Sequence, residues 1–324
     1  MNSVKSILSA LAVALAPAFC ASAQTQQPLK VNGIFNHLDA GITVGTTGLG
    51  LDLESPIGNM VRLRAGVEFM PRFTVPMHFS IEAFDENGQV TSTNYEKMRE
   101  MLKDMTGYDV DYRMDMNSKA TMVNFKLLVD VFPFRNKDWY VTAGFFLGSS
   151  EFARSENTQQ EMSTLLSMNM YNRYYDFFVN ERYLDEPLTG DYFHDPDRGD
   201  EMRDKFKSQG RLGVHVGDYK DGRGAYMMEA GSDGMVRCTV KVNRFKPYLG
   251  FGYNNVLKAN PRFKIGFDAG LMFWGGTPRI VTHDGVNLSK DIDNIPGKVG
   301  DYVSTLAAFK VYPSINFRIS YSIF

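Results

Sequence analysis

Residues 263–274, FKIGFDAGLMFW, decide the fold. Phe263, Ile265, Phe267, Ala269, Leu271 and Phe273 fill one set of alternate positions, and Lys264, Gly266, Asp268, Gly270, Met272 and Trp274 the other. Period-two alternation gives a strand with one apolar face and one mixed face. The run is about twelve residues long, against ~5–6 for an ordinary strand and ~9–11 for a tilted strand crossing a bilayer. Lys264 and Asp268 then point away from lipid, toward the lumen of a barrel. On this phase Leu271→Arg strikes the lipid face, and Met272→Arg is the milder change.

The same alternation recurs along the chain. Leu38, Ala40, Ile42 and Val44 begin it. The phase slips by one residue at 45–47 and resumes through Leu49, Leu51 and Leu53, which implies a bulge or a tight hairpin. A turn at 55–59 leads to the apolar set Val61, Leu63, Ala65, Val67 and Phe69. Residues 123–131 and 139–147 follow, with a turn at 133–138 between them. Trp139 and Phe134 fall at strand ends, where aromatic girdles sit. Val236, Cys238, Val240 and Val242 alternate with Arg237, Thr239 and Lys241. Residues 243–247 read as a turn, and Leu249, Phe251 and Tyr253 lead into the opening stretch. Ile315, Phe317, Ile319, Tyr321 and Ile323 close the series.

The chain has 324 residues and a net charge of −2, which argues against a nucleic-acid partner. Past the N-terminus no apolar run reaches the ~18 residues of a helical span, a test that barrel strands escape by alternating. Lys5, the apolar run 7–19 and Ala21-Ser22-Ala23 form a secretory signal over residues 1–23, cleaved near Ala23. Cys20 leaves with it, so Cys238 is the single thiol of the mature chain, a small hydrophobe on an apolar face. Residues 24–35 read as a polar lead, and 36–324 as the barrel.

Two connections, 73–120 and 151–234, are long enough to hold structure or function of their own. Residues 95–105 read as an amphipathic helix, with Met98, Met101, Leu102 and Met105 at helical spacing. A longer helix rich in Met, Tyr and Phe is expected over 159–184. A polar stretch over 191–207 and an irregular hairpin over 211–228 follow. A weak helix is expected over 300–307. The apolar side chains of 159–184 need burial, against the barrel mouth or the other connection's helix. That would make the segment a lid, with 195–201 exposed at its tip.

Thr47-Gly48-Leu49-Gly50-Leu51, Leu63-Arg64-Ala65-Gly66-Val67, the run 246–253 (KPYLGFGY) and the closing run 312–324 resemble outer-membrane β-barrel proteins of Gram-negative bacteria, in the form found among Bacteroides relatives. The resemblance covers most strands and none of the long connections. It implies a surface barrel, with outer-membrane lipid and the barrel assembly machinery as partners and Phe324 as the assembly signal. Ser322, Ser320 and Arg318 stand where that signal wants apolar residues. Both chain ends of such a barrel lie in the periplasm, which forces an even strand number and places short turns there. Splitting the first strand at 45–47 and adding one strand between 278 and 309 satisfies this. The expected fold is all-β, an antiparallel transmembrane β-barrel of about ten strands within a range of ~8–12.

The expected lumen lining is Arg62, Arg64, Lys126, Arg237, Lys241, Lys264 and Arg318 against Glu68, Asp130 and Asp268. In a narrow barrel these charges pair and block the lumen; in a wider one they line a pore favouring anions. None of the five histidines lies in a catalytic motif, and no Gly-x-Ser-x-Gly occurs. Asp195, Asp197, Asp200 and Glu201 do not match a calcium loop. The expectation is a non-enzymatic protein without cofactor or metal, structural or porin-like with a positively biased lumen, passing small solutes. The alternative is a closed barrel displaying its loops to surface ligands as a binding or adhesion module.

Overall fold

The computed structural model describes residues 37–324 apart from 86, 91–94, 112, 136, 181 and 183–195. The signal and lead segments lie outside the described residues. With strands numbered along the whole chain, eight form a closed antiparallel barrel. They are β1 (Asp39–Gly45), β2 (Gly48–Ile57), β3 (Val61–Phe69), β6 (Val123–Val131), β7 (Trp139–Gly148), β12 (Phe245–Val256), β13 (Phe263–Met272) and β16 (Tyr312–Ser322). Each pairs with the next in chain order, and β1 closes on β16 with Ile42 opposite Ile319. The slip at 45–47 is a tight hairpin: Gly45 faces Gly48 across Thr46-Thr47, and Gly48 takes φ +112°. A side chain at Gly48 would be strained there, since L-residues rarely adopt that backbone.

The connections sort by length to the two ends of the barrel. The turns 58–60, 132–138 and 257–262 lie at one end, with both ends of the barrel chain. The β1–β2 hairpin and the connections 70–122, 149–244 and 273–311 lie at the other. The long three build a second sheet from β4 (Thr74–Phe84), β5 (Arg113–Ala120), β8 (Glu151–Asn157), β9 (Arg211–Tyr219), β10 (Ala225–Met228), β11 (Arg237–Lys241) and β14 (Arg279–Thr282). Its order is β10-β9-β4-β5-β8-β11-β14, with β15 (Ile292–Asp293) paired to β9. Five α-helices accompany it among the described residues: α1 (Tyr95–Thr106), α2 (Met162–Val179), α3 (Pro196–Gln209), α4 (Leu288–Asp291) and α5 (Gly297–Ala308).

This cap has a core of its own. Phe79, Ile81, Met114 and Met116 from the β4–β5 hairpin pack with Leu165, Met168, Tyr171, Tyr175 and Phe178 of α2 and with Met98 and Leu102 of α1. The spacing 165, 168, 171, 175, 178 is one helical face, so α2 buries that stripe and leaves Leu166 exposed. Its apolar residues thus settle on the other connection's helix, one of the two partners expected. Residues 211–228 form the expected hairpin of β9 and β10, with a register shift between Tyr226 and Met227, and the polar stretch is helical over 196–209.

Eight strands fall within the expected range and below the best value of ten. The two surplus strands are real but misplaced. Residues 236–242 give β11, and the strand sought between 278 and 309 gives β14. They pair with each other in the cap, Val240 opposite Ile280. Val240 buries its side chain in the cap core rather than facing lipid, and alternation alone cannot tell those two apolar environments apart. The turn expected at 243–247 is absent as well. β12 already runs from Phe245, and Phe245, Pro247, Leu249 and Phe251 continue one outward face.

Every barrel strand turns large apolar side chains outward. Leu51 is 60% exposed and Phe317 61%, and Ile42, Val67, Phe125, Val141, Leu249 and Ile265 repeat this around the wall. An apolar surface of this extent does not face water in a stable monomer. Trp139 sits edge-on to Tyr253 at 5.0 Å and to Phe267 at 5.9 Å, near the end with the short turns. No helix among the described residues is long and apolar enough to cross a membrane. Met272 corrects one expectation: it is fully buried with Met70, Met122, Leu128, Phe146 and Tyr248 at the capped end of the lumen. Arginine at 272 would be buried without a partner and is no mild change.

In lipid vesicles, Leu51→Arg should cost ~2–4 kcal/mol of folding stability in a urea titration. Leu166→Arg, on the exposed side of α2, should stay within ~0.5 kcal/mol. Equal losses would contradict a lipid-facing Leu51.

Candidate functional site

The inward positions of the strands carry charge, because each alternates with an apolar residue that points out. Arg62 and Arg64 on β3, Glu54 on β2, Asp130 on β6, Asp268 on β13 and Arg318 on β16 meet across the lumen as a closed ring of alternating sign. Arg62 Nη2 lies 2.7 Å from Asp130 Oδ2, and Arg64 Nη2 2.8 Å from Asp130 Oδ1. Arg64 Nη1 reaches Asp268 Oδ2 at 2.9 Å, and Arg318 Nη1 the same oxygen at 3.3 Å. Glu54 closes the ring, 3.0 Å from Arg318 and 3.2 Å from Arg62. These last two contacts are ion pairs whose angles fall short of hydrogen bonds. All six side chains are buried.

Tyr140 stands at the centre of the ring. Its hydroxyl donates to Asp268 Oδ1 at 2.7 Å and accepts from Arg318 Nη2 at 3.0 Å. The Arg62 guanidinium lies 4.8 Å from the centroid of its ring, within cation–π range. Gly252 makes room for it: a Cβ there would come within 2.3 Å of the tyrosine ring.

Further layers lie on either side. Toward the cap, Lys126 Nζ sits 2.8 Å from Asp52 and 2.5 Å from Glu68. Lys246 donates to Asn124 Oδ1 at 2.9 Å and to the Ser149 carbonyl at 3.0 Å. Toward the short turns, Asp39 takes Lys264, His37 at 2.9 Å and the Ser322 hydroxyl at 2.7 Å. Above the ions, Met70, Met122, Phe146, Tyr248 and Met272 stop the capped end. The cavity between Arg64, Glu68, Lys126, Tyr248 and Asp268 holds about 10 Å³, at the threshold for one water.

Arg62, Arg64, Glu68, Lys126, Asp130, Asp268 and Arg318 of the expected lining are thus brought together, and Lys264 stands partly exposed at the uncapped mouth. Arg237 and Lys241 are corrected: both lie on β11 in the cap, and Arg237 pairs with Asp233 at 2.6 Å. Asp39, Asp52, Glu54, Lys246 and Tyr140 were missed. The first three alternate with Ala40, Leu51 and Leu53, so the signal was present. Lys246 was hidden by the turn assigned there. With these included, cations and carboxylates on the inner face are equal in number among the described residues, and the expected positive bias is gone. Phe324 lies beyond β16 and is 56% exposed, so it does not turn inward. Its carbonyl accepts from the Leu38 N–H at 3.2 Å.

The cap holds an open pocket of about 200 Å³ between Asn169, Arg173 and Asp176 of α2 and Arg211, Glu229 and Ser232. Arg211 is fixed by Glu229 Oε1 at 2.6 Å and by Asp176. Burial pushes the Cys238 thiol on β11 up to about 12. Of the acidic stretch, Asp195 lies outside the described residues, and Asp200 pairs with Arg203 at 3.0 Å.

A closed up-and-down antiparallel barrel, ionic within and apolar without, is the build of an outer-membrane β-barrel protein. Among solved structures the chain is similar to CarO2 of Acinetobacter baumannii, with 14% identity, a TM-score of 0.38, and 90% of this chain and 100% of that one covered. It is similar to CarO of the same organism at 15% identity and a TM-score of 0.37, covering 88% and 97%. A major outer membrane protein of Thermus thermophilus follows at 11% identity and 0.27, covering 89% and 98%. No family model and no curated protein matches the chain. These are distant likenesses, and the barrel assignment rests on this chain's own strand order.

Arg64→Met should cost ~3–5 kcal/mol, since it leaves Asp130 and Asp268 short of a partner in a buried site. The midpoint of urea unfolding in lipid vesicles reads it, and a loss below ~1 kcal/mol would mean that the lumen is wet. Cys238 should resist maleimide at pH 8 in the folded protein, because its thiol ionises only near the raised value. It should react at once after denaturation, and rapid labelling of the half-buried native thiol would contradict the raised pKa.

Proposed function

We propose that this chain is a non-enzymatic outer-membrane β-barrel protein of porin-like build whose barrel is a sealed anchor and whose working part is the cap. One observation carries the reading: the ring of Glu54, Arg62, Asp130, Arg64, Asp268 and Arg318, with Tyr140 at its centre, crosses a lumen of only eight strands. A barrel of this size has an interior that side chains can fill. The apolar wall supports insertion in a membrane, and the Bacteroides-type features of the sequence fit a Gram-negative host. In this reading the short turns face the periplasm, the cap faces outward, and Phe324 serves assembly.

The cap then acts as a surface module, binding or adhesive, held at a fixed distance from the membrane. The open pocket beside Arg173 and Ser232 would suit a small polar ligand. A gated pore is the second reading, favoured by one feature: the lumen is closed mostly by ion pairs, which could exchange partners.

Planar-bilayer recording separates the two. The sealed anchor should give no conductance steps at any moderate voltage. Reproducible unitary steps, abolished by an antibody to the cap or enlarged by Arg64→Ala, would replace the anchor with the gated pore.

A further inference from the structure

The segments that join barrel to cap share a charge pattern that neither the lumen nor the cap core explains. Residues 70–76, 118–123, 148–154, 239–247, 272–281 and 309–313 contain a single carboxylate, Glu151. That carboxylate is taken by Arg154 at 2.8 Å. The outward-facing cations left over are Arg72, Lys119, Lys241, Arg244, Arg279 and Lys310, and none has a side-chain partner among the described residues.

Their placement is specific. Arg72 follows β3, Arg244 precedes β12 and Lys310 precedes β16, each at the capped rim of the barrel. The rim position is fixed by two backbone bonds, Met70 N–H to Met122 O and Gly148 N–H to Arg244 O, and by the Trp274 indole, whose Nε1–H donates to Phe309 O. Each of these three cations is next in sequence to an exposed phenylalanine: Phe73, Phe245 and Phe309. The other three lie on the outward face of the cap sheet, in its rows nearest the barrel. There Lys241 stands between Arg279 on one side and Glu151 on the other, the latter already taken by Arg154, and Lys119 stands opposite Arg154. Like charges directly opposite destabilise a sheet. Cations so arranged around a ring call for an anion from outside the chain.

Immediately beyond them begins the apolar wall. A ring of cations and aromatic side chains at that level meets the headgroup layer of a bilayer whose hydrocarbon contacts the strands. We propose that this collar binds the phosphate groups of anionic lipid in the leaflet that faces the cap, fixing the cap at the membrane surface. The inference rests on the membrane reading above and adds to it a lipid class and a contact surface. Arg72, Arg244 and Lys310 reach the phosphates while Phe73, Phe245 and Phe309 enter the interface beneath them. Lys119, Lys241 and Arg279 face the outer part of the headgroups.

The test uses the full mature chain, folded into phosphatidylcholine vesicles with and without lipid A. Flotation reports insertion, and native mass spectrometry of the extracted protein counts retained lipid A. Each cation near an anionic surface contributes about fivefold in affinity, ~1 kcal/mol. The variant Arg72→Gln/Arg244→Gln/Lys310→Gln should therefore retain lipid A about a hundredfold less well. Arg135→Gln/Lys137→Gln/Lys258→Gln, at the opposite rim, should match the unaltered chain. Because a variant can fail to fold, the unaltered protein supplies a second measurement: its lipid A should be lost as salt is raised. Equal retention by the collar variant, equal loss by the opposite-rim variant, or retention indifferent to salt would overturn the collar. Failure of the unaltered chain to float with either vesicle would instead overturn the membrane reading beneath it.

Discussion

Buried charge in a narrow barrel must find its opposite, and the rest of this structure follows from how that is done. An isolated buried charge costs several kcal/mol, and pairing offsets the cost only with close geometry. Here three arginines and three carboxylates from five strands close a ring, so those five strands are held in register by partners across the lumen. A slip of one residue would turn those charges to lipid and the leucines inward. The ring adds little stability over an apolar filling; its effect is to select one register and one strand number. Tyr140 completes it because Gly252 leaves the space for an aromatic ring.

With the lumen closed, the length of chain beyond the barrel acquires a different meaning. Three connections that would be loops on a porin pair into one sheet and bury a core larger than the apolar plug in the barrel's mouth. Such a cap is a folded body continuous with the wall, since β3 leads into β4 and β11 into β12 with only a few residues between. Motion of the cap as a lid would have to break the backbone bonds at 70–122 and 148–244. A fixed platform is the simpler physical description.

Much of this was legible in the sequence, and the failures have a common cause. Period-two alternation located all eight barrel strands, and helical spacing located α1 and α2, while α3 lay unseen in the polar stretch 191–207. It could not say what an apolar face is buried against. Val240 and Leu249 alternate alike, yet one packs into protein and the other faces outward. That ambiguity produced the two surplus strands, placed Arg237 and Lys241 in the lumen, and left the second sheet unseen. Asp52 and Glu54 were readable from their alternation with Leu51 and Leu53. The ring itself was not, because it joins residues up to 264 positions apart in sequence, Glu54 to Arg318. Nothing local encodes which carboxylate a buried arginine will choose.

The central claim is a membrane-embedded, sealed barrel with its cap on the outer side of the cell. Single cysteines placed at each end test it most directly, with half-buried Cys238 replaced by serine so that only the introduced thiol reports. Asp221→Cys lies in the exposed turn between β9 and β10, and Lys258→Cys in the turn between β12 and β13. On intact cells a membrane-impermeant maleimide should label residue 221 fully and residue 258 only after the outer membrane is opened. Labelling of 258 on intact cells with 221 protected would invert the topology. Labelling of neither until lysis would remove the cap from the cell surface altogether.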